Sequence, residues 1–144
     1  MKKLLIITSF LASQLFAVQC TEQQYSPFFT DKQEVRYMYS HYQTADNSNV
    51  VIDKKNIVYD KKNQKITCWV ISQMIWSPEY AVAKIQLEFN LKNNQNRILS
   101  GTLYNCTGVP VNSTSEKGHW EDIVPESSNE FILNNLKKYL NIKQ

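Results

Sequence analysis

The clearest pattern along the chain is an alternation of apolar and polar residues in its second half. Apolar side chains recur at every second position, at Ala81, Ala83, Ile85, Leu87, Phe89 and Leu91. Because successive side chains of a strand point to opposite faces, this period predicts a strand with one face in a core and the other in water. Such a division is typical of an antiparallel sheet.

The residues before this strand predict three further strands. Two short β-branched runs, at 50–52 and 57–59, precede a polar turn at 60–65. Segment 66–76 contains the densest apolar run after residue 17, which predicts a strand buried on both faces. Ser77 and Pro78 end it, because proline cannot donate a hydrogen bond to a central ladder.

The residues after it predict a hairpin and an edge strand. Polar residues 92–96 form a turn into a strand at 97–104, in which Gly101 indicates a bulge or a close backbone approach. A second turn follows at 105–108. Residues 109–111 then predict an edge strand, since Pro110 is excluded from the centre of a sheet.

The periodicity changes to that of a helix near the C-terminus. Ser127 followed by Glu130 predicts a capping box. Apolar residues then recur at helical spacing, at Phe131, Ile132, Leu133, Leu136, Tyr139 and Leu140. This stripe needs a partner, and the sheet offers the largest one. The sequence therefore predicts an α+β fold with an antiparallel sheet of about five or six strands and one C-terminal helix packed across one face.

The N-terminus is typical of a secretory signal peptide. Lys2 and Lys3 precede a mostly apolar run at 4–16, and Ala17 offers a small residue for cleavage before Val18. The run is shorter than the roughly 20 residues of a membrane-spanning helix. We expect a signal peptide at 1–17, an N-terminal arm at 18–48 and one domain at 49–144. The protein is then exported to the periplasm, the outer-membrane surface or the medium.

Charge and composition argue against several classes of function. Without Lys2 and Lys3, 14 basic and 13 acidic residues remain, a net charge of +1. The basic residues form isolated pairs and no cluster that could follow a phosphate backbone, so we expect no nucleic-acid partner. No nucleophile motif or phosphate loop is present, and the two histidines are His41 and His119. The sequence predicts no enzyme, no catalytic or metal-binding residues and no cofactor. A pocket that brings His119 together with carboxylates would instead favour an enzyme.

Three cysteines, Cys20, Cys68 and Cys106, are an odd number for an oxidising compartment. Register counting along the predicted strands separates Cys68 from Cys106 by roughly 20 Å along the sheet, beyond the limit of about 7 Å between Cα atoms for a disulfide. Cys20 could reach either one, which leaves the pairing open. Cys20 could also carry a lipid and bind a membrane, but Gln19 replaces the small residue that lipoprotein cleavage prefers.

Aromatic residues concentrate in the N-terminal arm, where apolar periodicity is weak. They include Tyr25, Phe28, Phe29, Tyr37 and Tyr39. These side chains either cover the open face of the sheet or form an exposed surface for a protein partner or a second copy. Residues 35–42 indicate a strand or a short helix, and the alternation of Val35, Tyr37 and Tyr39 favours an added edge strand.

The domain resembles a known family at several points. These are Val51-Ile-Asp53 with Ile57, the strand carrying Trp69, the strand ending at Phe89, and strand 97–104 followed by Gly108. The most specific part is Trp120-Glu-Asp-Ile-Val-Pro125 followed by Ser127 and Glu130. Together they resemble the surface-adhesin protein E-like domain over roughly 49–140.

This resemblance implies a small exported protein of Gram-negative bacteria with an antiparallel sheet and a C-terminal helix. It further implies an adhesin for host extracellular-matrix or plasma proteins, and a homodimer. Many relatives tie the helix to the sheet with a disulfide, whereas 88–91 and 136–144 contain no cysteine here. The alternative function is a periplasmic or cell-envelope accessory protein without a host ligand.

Overall fold

A computed structural model describes residues 37–39, 50–73 and 82–143, and within them one antiparallel sheet and one α-helix. The strands are β1 (Tyr37–Tyr39), β2 (Val50–Asp53), β3 (Val58–Asp60), β4 (Lys65–Gln73), β5 (Val82–Asn90), β6 (Gln95–Tyr104), β7 (Pro110–Thr114) and β8 (Glu121–Asp122). The helix is α1 (Ser128–Tyr139). This α+β arrangement confirms the predicted fold class.

The sheet is built around the long meander β4-β5-β6. Its main path runs β1-β2-β4-β5-β6-β7. The short strand β3 pairs with β4 beyond the end of β2, and β8 pairs with β6 beyond the end of β7. The main path therefore has six strands, in line with the predicted five or six, and two short strands extend it.

The meander register determines which side chains share a face. Cys68 pairs with Leu87, and Glu88 pairs with Arg97 across the β5-β6 hairpin. The register shifts once, because Gln86 pairs with Ser100 while Leu87 pairs with Ile98. Leu99 is thus the extra residue of a bulge.

The predicted irregularity near Gly101 is therefore present, but the prediction placed it on the wrong residue. A Cβ added to Gly101 would lie 3.8 Å from the carbonyl oxygen of Lys84, an ordinary contact. Gly101 neither forms the bulge nor provides a close backbone approach.

The main core lies between α1 and one face of the sheet. Its buried members come from β2, β4, β5, the β8-α1 connection and α1, and are Val50, Ile52, Ile66, Cys68, Val70, Leu87, Phe89, Ile123, Ile132, Leu133 and Leu136. The helix was expected to be held by Phe131 as well, which is wrong. Phe131 is 38% exposed and Tyr139 is 48% exposed, so Ile132, Leu133 and Leu136 form the buried stripe.

Strand β4 is buried on both faces only near its end. Ile66, Cys68 and Val70 face α1, whereas Thr67 and Trp69 on the opposite face are half-buried. Ile71 continues that opposite face and is 5% exposed. The prediction of a strand buried throughout on both faces was therefore wrong for its first half. Residues 74–76 and the expected stop at Ser77 and Pro78 lie outside the described residues.

The start of α1 uses half of the predicted capping box. The Ser127 hydroxyl accepts a hydrogen bond from the amide of Glu130 at 3.3 Å. The Glu130 carboxylate accepts from the amide of Glu126 at 2.7 Å rather than from that of Ser127. Glu126 has a φ of 62°, a left-handed conformation that brings its amide to this carboxylate.

The predicted signal peptide at 1–17 lies outside the described residues, as does the arm at 18–48 apart from the backbone of β1. In the described part of the chain, no helix is both long and apolar enough to span a membrane.

Candidate functional site

The sheet face away from α1 carries a stacked cluster around Trp120. The guanidinium carbon of Arg97 lies 4.1 Å from the centroid of the Trp120 ring, and the Lys65 ammonium lies 5.3 Å from it. Arg97 also binds Glu88, with Nε donating to Oε2 at 2.6 Å and the second guanidinium nitrogen forming an ion pair with the same oxygen. Trp120 therefore contacts two cations, and the Glu88 carboxylate orients one of them, Arg97.

Backbone contacts with β6 position Trp120. The amide of Gly118 donates to the carbonyl oxygen of Ile98 at 2.8 Å, and Glu121 then pairs with Asn96 in β8. A Cβ on residue 118 would lie 3.3 Å from that carbonyl oxygen, so a glycine permits this close approach. The chain runs alongside β6 here, and Trp120 lies against Arg97.

A second tryptophan extends the cluster along the same face. Trp69 on β4 pairs with Gln86, and the Lys84 ammonium lies 5.5 Å from the centroid of the Trp69 ring. We call the set Lys65, Trp69, Lys84, Arg97 and Trp120 the aromatic–cationic face. Sequence analysis did not identify this set. The predicted hairpin brings the strands of Glu88 and Arg97 side by side, but a turn centred on Asn94 would pair Glu88 with Ser100 rather than with Arg97. Nothing in the sequence places Trp120 against Arg97.

The aromatic residues selected from the sequence fall at one edge of the sheet or outside the described residues. Tyr37 and Tyr39 lie in β1, where their backbones pair with Asp53 and Val51 of β2. This confirms the predicted edge strand at Tyr37 and Tyr39. Tyr25, Phe28 and Phe29 lie outside the described residues.

The opposite edge of the path is β7. All five of its residues are exposed, and it pairs with β6 at Gly101 to Tyr104. Pro110 begins the strand, which confirms the prediction that proline restricts this segment to an edge.

His119 lines a cleft together with the carboxylate of Glu121, the arrangement that would favour an enzymatic function. Both His119 and Glu121 lie at the rim of a cleft of about 240 Å³ between α1 and the sheet. His119 is exposed, and no hydrogen bond or ion pair engages it among the described residues. Catalysis by this pair would need a nucleophile or base oriented by a hydrogen bond, and none bonds to His119 in the described part of the chain.

Two aspartates of the described residues, Asp53 and Asp60, accept hydrogen bonds from neighbouring residues of the chain. Hydrogen bonds from Asn63 hold the pKa of Asp60 below its ordinary value. The buried carboxylate of Asp53 accepts from the Lys55 amide at 3.1 Å and from the Asn56 side chain at 2.8 Å. Within the same described ranges, no group of three or more His, Cys, Asp or Glu side chains is arranged to hold a metal ion.

Glu121 and Asp122 are neighbouring, exposed acidic residues. They form β8, where the Asp122 carboxylate accepts from the Gln95 side chain at 2.9 Å. Glu130 is the acidic residue in the first turn of α1.

The cysteines divide into one free and one bonded residue among those described. Cys68 is free, and its burial raises the pKa of its thiol to about 12. Cys106 is disulfide-bonded. Tyr104 pairs with Val82 whereas Cys68 pairs with Leu87, so Cys106 lies far along the sheet from Cys68, in agreement with the register argument. Cys20 lies outside the described residues.

Comparison with known proteins identifies the family. Neither the curated proteins nor the solved structures that were compared gave a match. The model of the surface-adhesin protein E family matches residues 38–136, which include β2 to β8 and most of β1 and α1. The match covers more than half of the chain and includes the Trp120 to Glu130 segment that carries the sequence resemblance. This chain therefore belongs to the surface-adhesin protein E family.

Proposed function

We propose that this protein is an exported, non-enzymatic adhesin that binds a host extracellular-matrix or plasma protein through its aromatic–cationic face. Family membership supports the adhesive role. The observation that carries the choice of surface is the Trp120 indole held against the Arg97 guanidinium on the face away from α1.

Three physical properties of this face suit a protein partner. Tryptophan and arginine are the side chains most enriched at energetically dominant interface positions. Because Arg97 is already fixed by Glu88 and stacked on Trp120, little conformational entropy is lost on binding. The Lys84 ammonium adds a further positive charge, which favours an acidic surface on the partner.

The binding test compares variants of this face with a variant on α1. Trp69→Ala and Lys84→Gln remove the pair that does not support the Arg97 network, and Lys138→Gln changes an exposed lysine of α1. Immobilised laminin, fibronectin and vitronectin are the probes, measured by biolayer interferometry. We expect at least one to bind, with about tenfold weaker binding for the face variants and no change for Lys138→Gln. Equal binding by all variants would contradict the choice of surface.

A cellular test separates the adhesin from an envelope accessory protein. Intact cells are treated with protease, and a periplasmic marker reports leakage. Cleavage of this protein with the marker protected supports surface display. Protection of both supports the alternative, a periplasmic accessory protein, and contradicts the adhesin.

The bonded state of Cys106 bears on membrane anchoring. The chain has three cysteines, and Cys68 is free. We therefore propose Cys20 as the partner of Cys106, which ties the N-terminal arm to the turn after β6. A Cys20 sulfur in a disulfide cannot carry a thioether-linked lipid, so this pairing argues for a protein without a lipid anchor. A binding role for Tyr25, Phe28 and Phe29 in this arm remains a prediction, as does a homodimer.

A further inference from the structure

Asn96 is a buried polar residue whose side chain has no hydrogen-bond partner within the described ranges. Its exposed fraction is 4%, and its register opposite Phe89 places the side chain on the face that packs against α1. Its backbone belongs to the β6 ladders, but among the described residues no group bonds to its carboxamide. Such groups are rare in folded proteins, because burying an amide without a partner costs free energy.

The Asn96 side chain lies in the cleft between the first turn of α1 and the sheet. Ser128 and Asn129 line the cleft on the helix side, and Val70 and Leu87 line it on the sheet side. The volume of about 240 Å³ exceeds that of an apolar cavity known to admit benzene, about 150 Å³. A small organic group can therefore reach the Asn96 amide.

The cleft continues into a second, apolar cavity toward β7. Ile85 and Ile98 line both cavities, and the second, of about 220 Å³, is also lined by Gly101 and Leu103. Ile98 is 42% exposed although it belongs to a central part of β6, so this part of the sheet is left uncovered. We call the two cavities together the helix-side trough. One end of it is polar at Asn96 and the other is apolar.

We propose that the helix-side trough binds an aliphatic acyl chain that ends in an uncharged amide. The acyl chain would lie along Ile85, Ile98 and Leu103, where burial of methylene groups supplies affinity. The amide head would exchange hydrogen bonds with the Asn96 carboxamide, which both donates and accepts. This pairing satisfies the buried group that the fold leaves without a partner.

The charges around the polar end favour an uncharged head over a carboxylate. Glu121 lies at the rim of the cleft. The guanidinium of Arg97 is engaged by Glu88 and Trp120 on the other side of the sheet. His119 is the remaining basic side chain among the described lining residues, and it is exposed. A carboxylate brought to Asn96 would lose its hydration without gaining a buried cation.

Octanamide and octanoate test this proposal, because they share an acyl chain and differ in head-group charge. The full exported chain, labelled with nitrogen-15, is titrated with each compound and followed by NMR. We expect octanamide to shift the Asn96 side-chain amide signals and to bind at least about tenfold more tightly than octanoate. The side-chain signals of Asn63, in the exposed turn before β4, serve as an internal control.

Two variants separate the head-group contact from the acyl contact. Asn96→Leu should lose about tenfold in octanamide affinity, and Ile98→Ser should weaken both compounds by a similar factor. Asn134→Leu, on the exposed side of α1, is the matched control and should change neither. Far-ultraviolet circular dichroism confirms folding of each variant before titration.

The proposal is overturned if octanamide does not bind, if octanoate binds equally well, or if folded Asn96→Leu retains the affinity of the original protein. The helix-side trough and the aromatic–cationic face lie on opposite sides of the sheet. Acyl binding and adhesion are therefore measured independently, and either can fail without the other.

Discussion

The Trp120 indole lies against the Arg97 guanidinium with 4.1 Å between the guanidinium carbon and the ring centroid. Trp120 is 23 positions further along the chain than Arg97, and the close approach of Gly118 to Ile98 brings the two together. The contact joins the segment that carries the sequence resemblance to strand β6. It therefore links that segment to a defined surface.

Loss of the Arg97 charge should destabilise the fold. Arg97→Gln removes the ion pair with Glu88 and the stack on Trp120, and the Arg97 side chain is only 15% exposed. We expect the free energy of unfolding in urea to fall by about 1 to 3 kcal/mol. Lys92→Gln, in the exposed turn between β5 and β6, should change it by less than about 0.5 kcal/mol. Equal effects of the two substitutions would show that the cluster does not contribute to stability.

The Ser127 cap should stabilise α1 measurably. Ser127→Ala removes the acceptor for the Glu130 amide, so we expect a loss of about 0.5 to 2 kcal/mol in the free energy of unfolding. Ser115→Ala, in an exposed segment, is the control. Thermal and urea denaturation measure both. An unchanged Ser127→Ala protein would contradict the assigned helix start.

Replacement of Asn96 or Asn105 by leucine should change the free energy of unfolding in opposite directions. Asn96→Leu removes a buried amide without a partner, and should raise the free energy of unfolding by about 1 kcal/mol or more. Asn105→Leu removes an oxygen that accepts from the amides of Thr107 and Val109, and should lower it by a similar amount. Urea denaturation compares them. Destabilisation by Asn96→Leu equal to that by Asn105→Leu would indicate that the Asn96 amide is satisfied.

The thiol of Cys68 should be unreactive in the folded protein. It is fully buried, and the raised pKa keeps it protonated. A thiol reagent at pH 8 should therefore label nothing in the native oxidised chain and a single thiol after unfolding in urea. If Cys20 pairs with Cys106, reduction before unfolding should raise the count to three, the total in the chain. Two or more thiols without reduction would refute this pairing.

The same thiol should make stability depend on alkaline pH. Its pKa is raised in the folded state from an ordinary value of 9.0 to about 12. Above pH 9 the unfolded thiol loses its proton while the folded thiol keeps it, so rising pH favours unfolding. The contribution should reach a slope of about 1.4 kcal/mol per pH unit. Urea denaturation between pH 8 and 10 should show this extra slope in the original protein and not in Cys68→Ala.

Local sequence patterns predicted an element correctly where a single physical constraint decides its structure. The alternation from Ala83 to Phe89 indicated the buried face of β5, and Pro110 indicated an edge strand. Helical spacing located α1 within one or two residues. Helical spacing alone did not show that Phe131 is exposed while Ile132 is buried. Which of two adjacent helix residues faces the core depends on the surface against which the helix packs.

The position of the bulge in β6 also depended on more than local sequence. Gly101 suggested an irregularity because glycine tolerates unusual backbone geometry, yet the extra residue is Leu99. A bulge is decided by the pairing of two strands, so its position depends on how β5 and β6 register over their whole length. The sequence of β6 alone does not contain that information.

The sequence by itself determined strands β2 to β7, the C-terminal helix, the separation of Cys68 from Cys106 and the family, since each rests on local periodicity, on counting along predicted strands or on a contiguous motif. It did not predict the short strand β8. Only the tertiary structure placed Trp120 over Arg97 and Asn96 in a cleft beneath α1. Each arrangement joins residues from separate elements, the first on the sheet face away from α1 and the second on the face that packs against α1. Such contacts depend on strand register and on how the chain returns to the sheet, and no short stretch of sequence specifies either.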